Sequence, residues 1–380
     1  MFRYRYGILS AVLALLLAVA CAPTSPPAQP PAPELKTTPA LTAPSSPSLN
    51  PEEAAWQKTV DAAKKEREVN IYSFNFTGDI GIALTKAFEN RYAIKLNIIT
   101  GRGAEFIERL KTEKRMGQMV ADIFEGAATH LLNMKEAGVT IPLSDLLVLQ
   151  EKGAWLIDPK VIDAEGHVLA TFQSIYSPWI NTRLLKPEQA PKSYYDLLKP
   201  EWTGKIISHD PVLSSALYNW LVPLVNAKIL DWEYVRALGQ QKMRLERGGV
   251  QAAEVLVRGE LPLILMNTDS NGANFVKEGA PIKAISWQEG NVAHVGGMVG
   301  IKNPPHPNAA RLLADWLLTE EGQTVRGRSQ SIAMVRKGVP DFRPPDARAP
   351  ATRWVVSTAQ DYDDQARLMR EGLIANLWKK

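Results

Sequence analysis

The chain has 380 residues, 22% of them charged and 45% hydrophobic, with a formal net charge of +4 at pH 7. Its basic residues, such as Lys64, Lys65 and Arg67, interleave with Asp61, Glu66 and Glu68, the pattern of a solvated helix face, which argues against a nucleic-acid partner. Its single cysteine, Cys21, leaves the folded part without disulfides, zinc–cysteine sites or a cysteine nucleophile.

Met1 to Tyr6 carries Arg3 and Arg5, Ile8 to Ala20 is almost wholly apolar, and Ala18-Val19-Ala20 stands directly before Cys21. This pattern resembles a bacterial lipoprotein signal peptide over 1–20, cut before the cysteine. The resemblance implies lipid on Cys21 and an extracytoplasmic location anchored to the cell membrane. The apolar stretch is too short for a transmembrane helix, which needs about 20 residues. Setting aside Arg3 and Arg5 leaves 42 basic residues against 40 acidic ones. Residues 21–50 contain nine prolines among Ala, Ser and Thr and read as a tether, at most about 90 Å long if fully extended as polyproline II.

Asn50-Pro51-Glu52-Glu53 opens a helix, with Pro51 at the first helical position. Alternation then predicts a strand over Val69–Phe74, an amphipathic helix over Ile80–Arg91, a strand over Ile94–Thr100, a helix over Ala104–Arg115, a strand over Ala121–Phe124 and a helix from Leu131 to Ala137. Strand, helix, strand, helix implies a mainly parallel sheet with helices on both faces. A second α/β set follows. It comprises strands at Lys205–Ser208, Leu261–Met266 and Ile282–Ser286, with helices over Ser214–Val225, Trp232–Gln240 and Val250–Val257. Beyond these lie a glycine-punctuated strand, His294–Ile301, and a helix over Pro307–Leu318. About 330 residues exceed what one core covers, so two lobes are expected from length as well. Asp361–Leu377 reads as an amphipathic helix.

Several blocks resemble the bacterial extracellular solute-binding proteins, in particular the branch that includes the ferric-ion-binding proteins of ABC importers. They are Pro178-Trp179-Ile180-Asn181, Lys192-Ser193-Tyr194-Tyr195-Asp196-Leu197-Leu198, Pro200-Glu201-Trp202-Thr203-Gly204-Lys205-Ile206, Gly259-Glu260-Leu261-Pro262 and His306-Pro307-Asn308-Ala309-Ala310. The resemblance implies a two-lobed, periplasmic-binding-protein-like (type 2) α/β fold with two interlobe crossings, near Phe172–Asn181 and Ile285–Gly300. Residues 51–175 plus 290–340 would form lobe 1, 176–289 lobe 2, and 341–380 a C-terminal helical tail. The implied function is cargo capture in the interlobe cleft and delivery to an ABC permease, by a monomer without covalent chemistry. A ligand-presenting sensor or adhesion lipoprotein with the same fold is the alternative.

In doubly wound sheets ligands gather beyond the carboxyl ends of strands, which selects Asn75, Arg102 with Gly103, Glu125, and Ser214 with Ser215 as candidate ligand contacts. Glycines beside Arg102 let backbone and guanidinium approach an anion, and the helix start at Ser214-Ser215 offers free N–H groups. Tyr218, one turn into that helix, and His209 are further candidates. The ferric branch carries adjacent tyrosines just after the buried strand of lobe 2, where this chain has Asp269 and Ser270, which are candidate ligand contacts as well, Asp269 facing the cationic end of a zwitterion held by Arg102, Ser214 and Ser215. The family's glutamate after the third strand aligns near Ala127, two places from Glu125. No resident cofactor is implied. A metal ion held through carboxylates and an exogenous anion, an amino-phosphonate, a sugar phosphate and a thiamine-like cation all stay open as cargo. Enzyme motifs are missing: there is no G-x-S-x-G, no G-x-x-x-x-G-K-[ST] and no H-E-x-x-H. The five histidines, at 130, 167, 209, 294 and 306, include no pair at helical metal-ligand spacing. The pair Gly296-Gly297 fits either a hinge or close packing.

Overall fold

The computed structural model describes residues 51–101, 103–148, 153–158, 160–350 and 353–378. Cys21, the leader, the proline-rich stretch and Arg102 lie outside them. All the described residues fall in one unit, Leu49–Lys380.

The elements run in chain order as α1 (Pro51–Glu66), β1 (Glu68–Ser73), α2 (Asp79–Tyr92), β2 (Lys95–Thr100), α3 (Gly103–Met116), β3 (Ile123–Ala127), α4 (Ala128–Glu136) and the short α5 (Leu143–Leu146). Next come β4 (Leu169–Asn181), β5 (Ile206–His209), α6 (Ala216–Asn226), α7 (Trp232–Gly239), β6 (Arg244–Glu246), α8 (Gly249–Val257), β7 (Leu263–Thr268), α9 (Asp269–Lys277) and β8 (Ile282–Ala284). The chain ends with β9 (Asn291–Gly300), α10 (Pro307–Leu318), α11 (Glu320–Gln330), β10 (Ala333–Met334), β11 (Trp354–Val356), α12 (Ala359–Glu371) and α13 (Leu373–Trp378). Local chemistry sets many of these boundaries. Asp231 accepts from the Tyr234 amide at 2.7 Å to start α7, and Thr358 with Asp361 forms a capping box on α12. Glu66 at the end of α1 accepts from the Asn308 and Ala309 amides, so one carboxylate closes α1 against the start of α10.

The sheet order is β2-β1-β3-β9-β4-β7-β5-β6, with β8 and β10 on β4 and β11 on β9. β1, β2 and β3 are mutually parallel, as the alternating pattern implied. Two long strands join the halves. The first half of β4 pairs with β9, its second half with β7 and β8, and β9 pairs with β3 at its far end. These are the two expected crossings. One half carries its apolar core on both sheet faces, around Leu84, Phe88, Leu313 and Trp316 on one and Phe106, Phe124, Leu131 and Val299 on the other. The other half does the same around Tyr194, Trp220 and Leu265, and around Trp179, Ile207 and Leu256.

Gly296 and Gly297 are needed for close approach. A Cβ on Gly297 would sit 1.8 Å from the Leu169 carbonyl oxygen, and one on Gly296 would sit 2.3 Å from the Phe172 ring. The C-terminal segment is two helices rather than one, because Gly372 takes a left-handed conformation with φ 63° and ends α12. Tyr362 enters the Phe106–Val299 core, while Leu368 and Ile374 enter the Tyr194–Trp220 core. Among the described residues no helix is long and apolar enough to cross a membrane.

Candidate functional site

Strand direction defines where a ligand can sit. β3 and β4 are both antiparallel to β9, and β7 is antiparallel to β4, so the carboxyl ends of β1–β3 point toward those of β5 and β7. Ala127 at the end of β3 pairs with Gly296, which pairs with Phe172, and Thr268 at the end of β7 pairs with Tyr176. Four residues of β4, about 13 Å at the rise of a strand, therefore separate the opposed ends. Of the described candidate ligand contacts, Asn75, Ser214, Ser215, Asp269 and Ser270 follow these ends, and Glu125 lies within β3, two residues before its end.

At the end of β1, the Ser73 hydroxyl accepts from the Asn75 and Phe76 amides at 3.0 and 2.9 Å and donates to Glu125 at 2.6 Å. The Asn75 side-chain Nδ2 donates to the same carboxylate at 3.0 Å. Glu125 also receives Nη2 of Arg326 at 2.5 Å, and both side chains are buried. Arg326 donates in addition to Thr171 Oγ1 and Gln330 Oε1, both at 2.9 Å. Its guanidinium lies 4.1 Å from the Phe172 ring centroid and 4.9 Å from that of Phe76. Burial lowers the Arg326 pKa and the Glu125 charge opposes that shift. The expectation that Glu125 is an open ligand carboxylate is corrected: its charge is matched by Arg326, and its lone pairs hold the loop after β1 in place. Asn75 stays half-buried at that loop. Gly103 is buried against the His130 ring, 2.6 Å from where its Cβ would stand, so a larger residue there would displace the imidazole.

In the other half, β5 ends at His209, whose Nδ1 lies 3.2 Å from Ser214 Oγ. Burial brings this histidine's pKa down to about 4, so it is neutral at physiological pH. Ser214 is buried, while Ser215 is exposed and makes no side-chain cap to α6. Val212 and Leu213 beside them are 67% and 66% exposed, giving this rim an apolar lip. Tyr218, also expected at the site, is fully buried in the core with Leu217, Trp220 and Ile374.

Asp269 begins α9 and is likewise engaged. Oδ1 accepts from the Ile175 and Ser270 amides at 3.2 and 3.0 Å, and Oδ2 from Arg343 Nη1 at 2.7 Å. Arg343 grips Asp341 as well, at 2.9 and 2.6 Å. Burial raises the Asp269 pKa, with the Arg343 guanidinium opposing. A carboxylate expected to face cargo instead ties α9 to β4 and to the returning tail. Ser270 remains half-buried, its hydroxyl 3.1 Å from Thr268 Oγ1.

Sequence reasoning missed three contributors. Arg326 and Arg343 sit in stretches with no periodic or motif signal. The three-residue β6 was not read as a strand, so the loop it positions, Arg247-Gly248-Gly249, was overlooked. In the structure Asn267 Nδ2 donates to the Gly249 carbonyl at 2.9 Å and Asn271 Nδ2 to Asn267 Oδ1 at 3.0 Å, fastening this loop to the end of β7. Among the described residues no group of three or more His, Cys, Asp and Glu side chains could hold a metal ion.

The family model described as bacterial extracellular solute-binding protein matches residues 78–324. The chain is 24% identical over 296 residues to "Iron uptake protein A1" of Synechocystis sp., covering 74% of this chain and 79% of the relative. Among solved structures, iron-bound HitA from Pseudomonas aeruginosa superposes with a TM-score of 0.63 at 20% identity, over 80% of this chain and 99% of that one. Trichodesmium IdiA (FutA) with iron and citrate gives 0.67 at 18% identity, over 82% and 100%. AfuA from Actinobacillus pleuropneumoniae with bound fructose-6-phosphate gives 0.57 at 19% identity, over 81% and 97%. With its type 2 periplasmic-binding-protein fold and a match over most of its folded part, the chain belongs to the bacterial extracellular solute-binding proteins, which bind small ligands and are not enzymes.

Proposed function

We propose that this protein captures a small organic anion between its two halves and hands it to an ABC permease. One observation carries the choice of cargo. Glu125 at the end of β3 and Asp269 just after β7 are paired with the buried Arg326 and the half-buried Arg343, Asp210 after β5 accepts from the Val212 and Leu213 amides, and the position after β7 offers Asp269-Ser270 in place of adjacent phenolates. A ferric ion needs several anionic oxygen donors, whereas an organic anion needs N–H, hydroxyl and guanidinium donors. Asn75, Ser215 and Ser270, half-buried or exposed near those ends, support the second kind of cargo, and Arg102 is the cation that the sequence offers beside Gly103. The likeness to a sugar-phosphate-bound structure is compatible with this reading, and so is the likeness to iron-bound ones if iron arrives with an organic anion.

A thermal-shift panel of sugar phosphates, phosphonates, dicarboxylates and ferric salts tests it. An anion at a hundred times its dissociation constant adds about 2.7 kcal/mol of stability. We expect a shift from at least one organic anion without metal, reduced in Arg102→Ala. Stabilisation by ferric ion alone, with no response to any metal-free anion, sinks the cargo assignment.

We further propose that Cys21 carries the lipid that holds the receptor at the membrane. Labelling cells with a fatty-acid analogue should mark the wild-type protein and leave Cys21→Ser unmarked and released. Equal labelling of both would remove the anchor.

A further inference from the structure

His209 is the last residue of β5 and is 1% exposed. Its ring reaches the loop that leads into α6, where Nδ1 lies 3.2 Å from Ser214 Oγ. Among the described residues that contact is the one hydrogen bond either side chain makes, and His209 Nε2 is buried without a partner. The loop backbone is held by other groups. The Asp210 carbonyl accepts from the Ser214 amide at 2.9 Å, Asp210 Oδ1 accepts from the Val212 and Leu213 amides at 2.7 and 3.2 Å, and the Asp210 amide donates to the Glu246 carbonyl at 2.8 Å. What the ring adds is a partner for the hydroxyl.

The imidazole is neutral at physiological pH, since burial draws its pKa down to about 4, so one ring nitrogen carries a proton and the other a lone pair. The hydrogen bonds open to each nitrogen decide which. With the proton on Nε2, a buried N–H would go unpaired and the Ser214 hydroxyl would commit its only hydrogen to Nδ1. With the proton on Nδ1, the ring donates to Ser214 Oγ, no buried N–H is orphaned, and the hydroxyl keeps its hydrogen for another acceptor. A buried donor left unmade bears its full desolvation cost, which favours the second arrangement.

We propose that His209 is a positioning residue, held as the Nδ1–H tautomer, that makes the Ser214 hydroxyl a donor to an anionic group of the cargo. The inference rests on the reading of the cargo as an organic anion and sharpens it. With a lone pair of Oγ engaged by Nδ1–H, the oxygen presents its hydrogen, which suits an oxygen of a phosphate, phosphonate or carboxylate and disfavours a metal ion or an ammonium group. Ser215, exposed beside it, can supply a second hydroxyl.

Two measurements test this. Long-range proton–nitrogen correlation spectra of the full chain, with nitrogen-15-labelled histidine and His209→Asn as the assignment control, read the tautomer directly. We expect a neutral ring at pH 7.5 with its proton on Nδ1, and an Nδ1 signal that moves in Ser214→Ala. A proton on Nε2, or a signal indifferent to Ser214→Ala, overturns the proposal whatever the cargo. Affinity is then measured by calorimetry with fructose 6-phosphate, 2-aminoethylphosphonate and succinate. For each of these that binds, His209→Phe should weaken binding by about tenfold or more, the loss expected for a hydrogen bond to a charged group. His209→Asn, whose side-chain Nδ2 can donate where Nδ1–H does, should recover most of that loss. Ser214→Ala should match His209→Phe, and the double variant should lose no more than either alone. Equal weakening by the Asn and Phe variants, or additive losses in the double variant, reduces His209 to a packing residue and overturns the proposal. Near-ultraviolet circular dichroism shows whether each variant keeps its native packing, and His209→Leu replaces His209→Phe should the latter fail to fold. Failure of all three anions to bind, with the tautomer as expected, tells against the cargo reading and removes this inference with it.

Discussion

Glu125 and Arg326 show how far a side chain's role depends on a partner more than 200 residues away. A buried pair contributes little net energy relative to apolar residues of the same shape, but removing one partner strands the other charge. Arg326→Met should therefore cost about 3–5 kcal/mol in urea unfolding, and adding Glu125→Gln should recover most of it. A cost below about 1 kcal/mol for the single variant would mean that the carboxylate is solvated after all. Neither role was legible in the sequence. Glu125 lies in a strand end that favoured a ligand reading, and Arg326 lies in a polar helical stretch, Glu320–Gln330, whose sequence carries no apolar face to mark which side is buried. His294 offers a second residue-scale test. It sits on β9 between the rings of Tyr176 and Tyr362, at 6.1 and 5.0 Å, and burial lowers its pKa to about 4. The folded state then binds fewer protons than the unfolded chain below the ordinary histidine value of about 6.5. The stability this group contributes is complete above pH 6.5 and is lost as pH falls toward 4, by about 2–3 kcal/mol at pH 4.5. His294→Gln should show a correspondingly smaller drop in urea midpoint between pH 7.5 and 4.5. Equal drops in both proteins would show that His294 titrates normally.

At the scale of elements, length alone did not decide what was readable: the three-residue β8 falls inside the expected Ile282–Ser286, whereas the 13-residue β4 and the 11-residue α11 gave no period. Strands β1, β2, β5, β7 and β9 and helices α2, α3, α7, α8 and α10 fall within a few residues of expectation, and most of them bury an apolar face. β6, β10 and β11 are two or three residues long, too short for any period to register. Helix α9 was hidden behind Asp269-Ser270, which drew attention as a ligand position. The two long crossing strands depend on tight backbone contact at their meeting point, which turns the glycine pair from a hinge candidate into a packing requirement. A methyl at Gly297 would overlap the Leu169 carbonyl oxygen, a backbone atom that no rotamer change can move aside. Gly297→Ala should therefore lower stability by about 3 kcal/mol or more, since the two strands must separate to admit it. A melting temperature within about 1 °C of wild type, an effect below about 1 kcal/mol for a folded part of this size, would show that the strands can spread.

For the whole molecule, the central question is how two halves with separate cores behave as one receptor. Solute-binding proteins act by closing around cargo, which requires the halves to move yet not to unfold independently. Beyond the crossing strands, one further element couples them here. Helix α12 places Tyr362 in the Phe106–Val299 core, with its hydroxyl donating to the Val295 carbonyl at 3.1 Å and accepting from the Val295 amide at 3.2 Å. Two turns later the same helix, continued by α13, buries Leu368 and Ile374 in the other core. A helix of 13 residues is stiff over its length of about 20 Å, so loss of either core pulls on the other. Wild-type protein should accordingly unfold in a single calorimetric transition, with van't Hoff and calorimetric enthalpies agreeing. Tyr362→Ala removes the anchor on one side while leaving Leu368 and Ile374 in place. It should cost about 3–5 kcal/mol and split the transition into two, the first belonging to the half that lost the tyrosine. Two transitions in the wild type would show that the halves unfold independently, whereas one undivided transition in Tyr362→Ala would locate the coupling in β4 and β9 alone and leave the tail as a cover for the second core.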